Sequence, residues 1–113
     1  MENTAAHELY QQIGSDLEDA KFGKMFGSEC LKAPNGKALA IFYKGNMVFK
    51  LRDEAYNEAM ALDGADLFNP GGKRPMNGWV ELPFDYADQW PHFAEEAMAY
   101  VRTIEKKMTQ PKG

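Results

Sequence analysis

Apolar and polar positions alternate along ALAIFYKGNMVFKLR, residues 38–52, with a break at Gly45-Asn46. A period of two marks strands whose successive side chains point to opposite faces. The alternation predicts strands at Ala38–Lys44 and Met47–Arg52, joined by a two-residue turn at Gly45-Asn46. Upstream, Pro34-Asn35-Gly36-Lys37 reads as a second turn, because Asn-Gly tolerates the positive φ angles that tight hairpins require. The strand before it is read over Met25–Ala33.

A helical period takes over on either side. Ala6, Leu9, Ile13 and Leu17 share one face of a first helix that starts near Thr4, and Gly14-Ser15 is expected to interrupt it. Asp53 is placed to cap a second helix, DEAYNEAMALDG, ended by Gly64. A final helix over Gln89–Met108 carries the apolar stripe Trp90, Phe93, Ala97, Val101, Ile104 and Met108. Between these helices lie a short strand at Ala65–Asn69, the loop Pro70–Pro75, a strand at Asn77–Leu82 and a turn at Pro83–Asp88. The expected fold is a single α+β domain over residues 1–113 with its core in 5–108 and a frayed tail at 109–113. Its order is helix, three antiparallel strands, helix, two strands, helix, with the helices mainly on one face of the sheet. A chain of 113 residues is long enough to bury a core without metal or disulfide support.

The central hairpin carries the sharpest expectation. With Gly45-Asn46 as the turn, Lys44 faces Met47, Phe42 faces Phe49 and Ala40 faces Leu51. One face then holds Ala38, Ala40, Phe42, Met47, Phe49 and Leu51, which is the core face. The other holds Leu39, Ile41, Tyr43, Val48, Lys50 and Arg52. If helices cover only the first, then Leu39, Ile41, Tyr43 and Val48 form an exposed apolar patch, the candidate interface for a second copy or another protein. On that basis an Ile41→Glu change would weaken self-association and leave the monomer folded.

Charge adds a segmental pattern that the net value of −4 hides. Residues 1–20 and 53–66 carry acids and no bases, whereas residues 21–52 carry seven bases and only Glu29 as an acid. Mutual neutralisation at the surface is one explanation. A basic sheet face that meets an acidic partner is the other, with Lys44, Lys50, Arg52, Lys73 and Arg74 as candidate contacts to phosphates or acidic groups.

The residues that perform chemistry are sparse. Cys30 is the single cysteine and lies inside a strand, where it cannot form an internal disulfide. His7 and His92 have no metal-ligand spacing, and Asp85, Asp88 and His92 at a helix start read as capping and dipole-favouring groups. Pro70-Gly71-Gly72-Lys73-Arg74-Pro75 lacks the Ser or Thr and the earlier glycine of a nucleotide-binding loop. No catalytic, metal or cofactor site is expected, so a non-enzymatic module is. The N-terminal MENTAAHELYQQ lacks the regions of a signal peptide and no apolar run matches a bilayer, so a cytoplasmic placement without membrane contact is expected.

Met25-Phe26-Gly27 after a first helix, followed by strand, Asn-Gly, strand, Gly-Asn and strand, resembles the N-terminal domain of the TfoX/Sxy family. Phe68-Asn69-Pro70-Gly71-Gly72-Lys73 and Gly78-Trp79-Val80-Glu81-Leu82-Pro83 are similar to that domain's second strand pair. The likeness runs over residues 5–108. It implies an α+β fold of the secretion-chaperone type, shared with YjbR-like proteins, and no catalytic residues. Family members implicated in competence regulation carry a further helical domain that this sequence does not show, so that role is not carried over. YjbR-like relatives have been proposed to bind DNA through protruding hairpins, which here would be Asn35-Gly36 and Gly45-Asn46. With the missing catalytic constellation and the half-apolar sheet face, the resemblance points first to a self-associating interaction or regulatory module, second to nucleic-acid binding through the basic meander, and last to a small enzyme or ligand-binding protein with an unrecognised pocket.

Overall fold

The computed structural model describes residues 4–25, 27–69 and 75–108. In chain order the elements are α1 (Thr4–Asp16), β1 (Lys21–Met25), β2 (Ser28–Lys32), β3 (Ala38–Tyr43), β4 (Asn46–Lys50), α2 (Asp53–Met60), β5 (Asp66–Leu67), β6 (Trp79–Leu82), a 3-10 helix (Phe84–Gln89) and α3 (Trp90–Met108). The six strands form one antiparallel sheet in the order β1-β2-β3-β4-β6-β5. The expected α+β architecture is present, with one more strand than the alternation indicated. Lys21–Met25 is that strand, and it pairs with β2 from Lys21–Lys32 to Met25–Ser28. The segment expected as one strand from Met25 is therefore divided by a tight connection between Met25 and Ser28, where Gly27 has φ +76.

The helices pack on one face. Tyr10 and Ile13 of α1 and Trp90, Phe93, Ala97 and Val101 of α3 meet Leu31, Ala40, Phe49, Leu51 and Val80 in the main core. Ala6, Tyr10 and Ile13 are spaced i, i+4, i+7, so one stripe of α1 is buried while Leu9 and Leu17 lie at its margin. Of the expected α3 stripe, Ile104 is half-buried at its end, and the side chain of Met108 lies outside the described residues. Gly14 does not interrupt α1, which runs through it to Asp16. Its lack of a side chain lets the helix close on the β1–β2 hairpin: a Cβ there would lie 2.6 Å from the Phe22 ring and 2.7 Å from Leu31 Cδ2. α2 is shorter than expected. It ends at Met60, and Gly64, at φ +96, serves the turn that follows. Asp53 opens α2 at φ +56, and Arg52, extended and without a side-chain cap bond, occupies the capping position.

Two details reset the hairpin register. The β3–β4 turn is Lys44-Gly45, with φ +50 and +85, so Phe42 pairs with Met47 and Ala40 with Phe49. Both positive angles match a type I′ turn, whose twist suits the flanking strands. Asn46 is left as the first residue of β4, and its amide donates to Glu81 Oε2 at 2.7 Å. In β3 the pairing slips: Leu31 opposes Ala40 while Lys32 opposes Ala38, leaving Leu39 as an extra residue in a bulge.

Tyr10 ties α1 to the sheet, donating its hydroxyl to the Cys30 carbonyl at 2.9 Å. Its ring stacks on Phe42 at 5.3 Å and meets Phe22 edge-on. Burial, then the Glu29 and Cys30 charges, hold the phenol well above its ordinary value of 10.0. Because the folded pKa is the higher one, the unfolded chain ionises first as pH rises. Tyr10 thus contributes stability that is complete below pH 10 and declines above it.

Two stability measurements follow. Gly14→Ala should lower unfolding free energy by about 1–2 kcal/mol in urea, because overpacking against buried Leu31 outweighs the helix-propensity gain of about 1 kcal/mol. Tyr10→Phe should cost about 1 kcal/mol at neutral pH for its hydrogen bond. The same variant should lose stability less steeply than wild type above pH 10, and identical slopes would show that Tyr10 does not titrate with unfolding.

Candidate functional site

The face expected to be an open apolar patch is closed. Ile41 and Val48 are fully buried, covered with Cys30 by Phe68 and Trp79 in a second apolar cluster. Tyr43, half-buried, meets Phe68 edge-on at 4.9 Å. The cover is built by the chain after α2: Phe68 N–H donates to the Trp79 carbonyl and Met76 N–H returns to the Phe68 carbonyl, each at 2.8 Å. Leu39 leaves this face altogether. The bulge turns it into the main core, where it is fully buried, and places Ala38 beside the second cluster instead. The candidate interface Leu39, Ile41, Tyr43 and Val48 is thus interior packing on two sides of the sheet.

What the helix-free face does present is lysine. Opposed residues in a sheet share a face. Lys21 opposes Lys32, Lys32 opposes Ala38, and Lys50 opposes Trp79, the partner that closes the second cluster. Lys21, Lys32 and Lys50 thus form a loose row on one face, at the same end of β1, β2 and β4, spanning about 14 Å at the usual strand spacing. The Lys32 stem lies across Gly23, where an added Cβ would be 3.0 Å from Lys32 Cε. Lys50 Nζ sits 5.2 Å from the centre of the Trp79 ring. Burial, and secondarily Lys37, hold its ammonium below the ordinary lysine range. Among the described residues the ion pairs are Arg52–Asp53 and Arg102–Asp19, beside the histidine–carboxylate contacts His7–Glu29 and His92–Glu58, and none uses a lysine. Asp66 and Glu81 share this face further along the sheet, on β5 and β6.

The other candidate contacts separate. Lys44 lies at the tip of the β3–β4 turn, 5.3 Å from the Tyr43 ring and away from the row. Arg52 is committed within the chain, to Asp53 at 3.3 Å and to the Tyr100 ring at 4.8 Å. Lys73 and Arg74 lie outside the described residues. Lys21 escapes a sequence reading because its strand does, and Lys37 and Trp79 because only the fold brings them to Lys50. The Asn35-Gly36 turn does not protrude: Asn35 Nδ2 donates to the Val101 carbonyl at 3.1 Å, tucking the turn against α3.

Catalytic pairings are decided by the two faces. His7 Nε2 donates to Glu29 Oε2 at 2.8 Å on the helix side. The Cys30 side chain belongs to the helix-free cluster, so strand alternation sets the thiol on the opposite face from both. Burial raises the thiol pKa, only partly offset by Lys32, which leaves it a poor nucleophile. His92 turns to Glu58, at 3.3 Å, rather than to Asp85 or Asp88. Among the described residues no group of three or more His, Cys, Asp or Glu could hold a metal ion, and no helix is long and apolar enough to cross a membrane.

Neither the protein-family models nor the curated proteins compared with this chain gave a match.

With Ile41 enclosed, Ile41→Glu should act on folding rather than on association. A carboxylate placed there has no partner and should cost several kcal/mol, enough to unfold the chain in circular dichroism at room temperature. A folded Ile41→Glu variant of normal urea midpoint would reopen this face as a surface.

Proposed function

We propose that the chain is a non-enzymatic interaction module of the TfoX/Sxy N-terminal kind, acting in the cytoplasm, that recognises an acidic protein surface through its lysine row. The observation that carries this reading is the placement of Lys21 and Lys32, directly opposed, and of Lys50 on one face of the sheet without an ion pair to any of them among the described residues. Like charges directly opposite, as Lys21 and Lys32 are, destabilise a strand pair, so an arriving anionic group relieves a cost already present in the free protein. A second copy of the chain fits the description of the partner. Its helices carry Glu8, Asp16, Asp53, Glu54 and Glu58 with few bases, so the lysine row of one molecule complements the helical layer of another. Self-association on these terms is electrostatic, in contrast to the apolar dimer the alternation suggested.

A second reading is a nucleic-acid backbone as the polyanion. The linear arrangement of the three lysines favours it, and the net charge of −4 opposes it.

Light scattering after size exclusion, at low and high salt, on wild type and on Lys21→Glu/Lys32→Glu, separates these. A larger mass at low salt that the double reversal abolishes supports recognition of a second copy. A monomer that shifts a mixed DNA pool at low salt, again dependent on the two lysines, supports the second reading. A monomer that binds neither DNA nor polyglutamate at low salt would overturn the proposal and leave the row as a solvated face.

A further inference from the structure

A cleft of about 390 Å³ opens where the Asn35-Gly36 turn, the end of β4 and the last described turn of α3 come together. Its apolar walls are Met25, Val101 and Ile104, and Trp79 lies at its base. Its charged lining residues are Lys37 and Lys50, and among the described residues no lining side chain is acidic. The described lining thus combines two positively charged residues, aliphatic and thioether groups, and an indole. Lys37 and Lys50 are close enough for the charge of one to disfavour that of the other, and Lys50 is also partly withdrawn from water. Neither takes part in an ion pair among the described residues.

We infer that this cleft is a binding site for a small organic anion, whose carboxylate, sulfonate or phosphate head sits between Lys37 and Lys50 and whose apolar body lies against Met25, Val101 and Ile104. The volume is at the lower end of the range for small-molecule sites, roughly 300–1,000 Å³, which suits a one- or two-ring or short alkyl body. The turn that carries Lys37 is anchored to α3 through Asn35, so the backbone that carries both lysines belongs to held elements rather than to a free loop. Bound anion would also bridge the sheet and the end of α3, coupling occupancy to the fixed position of that helix. The inference stands apart from the acidic-partner reading and shares only Lys50 with it.

The probe is anilinonaphthalene sulfonate, an anion on an apolar aromatic body, set against phenylnaphthylamine, the same body without charge. On the wild-type chain, nuclear magnetic resonance should place the sulfonate at the Trp79 indole N–H and the Ile104 methyl groups. The neutral analogue should bind about tenfold more weakly or less, the difference expected for one charge-assisted contact. Lys37→Met and Lys50→Met, which keep an apolar stem of similar length, should each weaken the sulfonate by about the same factor and leave the neutral analogue unchanged. Lys21→Glu/Lys32→Glu should leave sulfonate binding unaltered even where it abolishes partner binding, so the two readings fail separately. Equal affinity for the charged and neutral probes, or resonance changes that avoid Trp79 and Ile104, would overturn the site. Should a lysine variant fail to fold, the wild-type shift map and the ratio of the two probes decide the matter alone.

Discussion

The bulge at Leu39 is the constraint on which the arrangement of both faces depends. By inserting one residue opposite β2, it reverses the inside–outside alternation between Ala38 and Ala40. Leu39 and Ala40 both enter the helix-side core, while Ala38 joins Ile41 on the helix-free side. β3 is then buried on both faces, and an antiparallel sheet with two buried faces needs cover on each. α1 and α3 supply one. Phe68 and Trp79 supply the other, and the burial of Ile41 and Val48 beneath them is worth about 1.5–3 kcal/mol each. The same reversal brings Ala38 into line with Lys32, and so fixes which side chains can border the lysine row.

This explains what a sequence can and cannot disclose here. The alternation in residues 38–52 locates both central strands, and even a misplaced turn leaves their faces right. Moving the turn from Gly45-Asn46 to Lys44-Gly45 slides each partner by two residues, which preserves parity. The bulge is different, because it exists only in the pairing of β3 with β2 and leaves no mark in the periodicity of either. β1 is hidden for a related reason. KFGKM is short, contains a glycine, lies at the sheet edge and is recognisable as a strand chiefly through its partner Ser28–Lys32. Gly14 misleads in the opposite direction. A glycine that looks like a helix break is the residue that allows α1 to approach Leu31.

The candidate surface follows the same rule. Lys50 is legible as a strand cation, but its neighbours are tertiary: Trp79 arrives across β6, and Lys37 arrives because Asn35 anchors its turn to α3. Arg52, equally basic in sequence, stays exposed but is paired with Asp53 and lies over the Tyr100 ring. Burial likewise takes Leu39, Ile41 and Val48 out of it. An apolar face inferred from alternation is exposed only if nothing later in the chain returns to cover it, and here the segment after α2 does.

The layer arrangement also decides how the net charge should be read. Many of the acids sit on the helices, across the sheet from Lys21, Lys32 and Lys50. At physiological salt, screening reduces the reach of an exposed charge to about 8 Å, less than the thickness of a helix packed on a sheet. A partner approaching the β1–β2 side of the helix-free face therefore feels the lysine row more strongly than the acids on the helices behind it, and meets Asp66 and Glu81 only further along the sheet. The lysine end of the sheet is therefore better described by its local charge than by the net value of −4. Under the proposed self-association, contact would be attractive where the lysine row of one copy meets acids on α1 or α2 of the other, and repulsive where like charges meet. For the proposed self-association, that asymmetry would select a head-to-back contact, and a heterologous contact of this kind either closes into a ring or continues as an open chain.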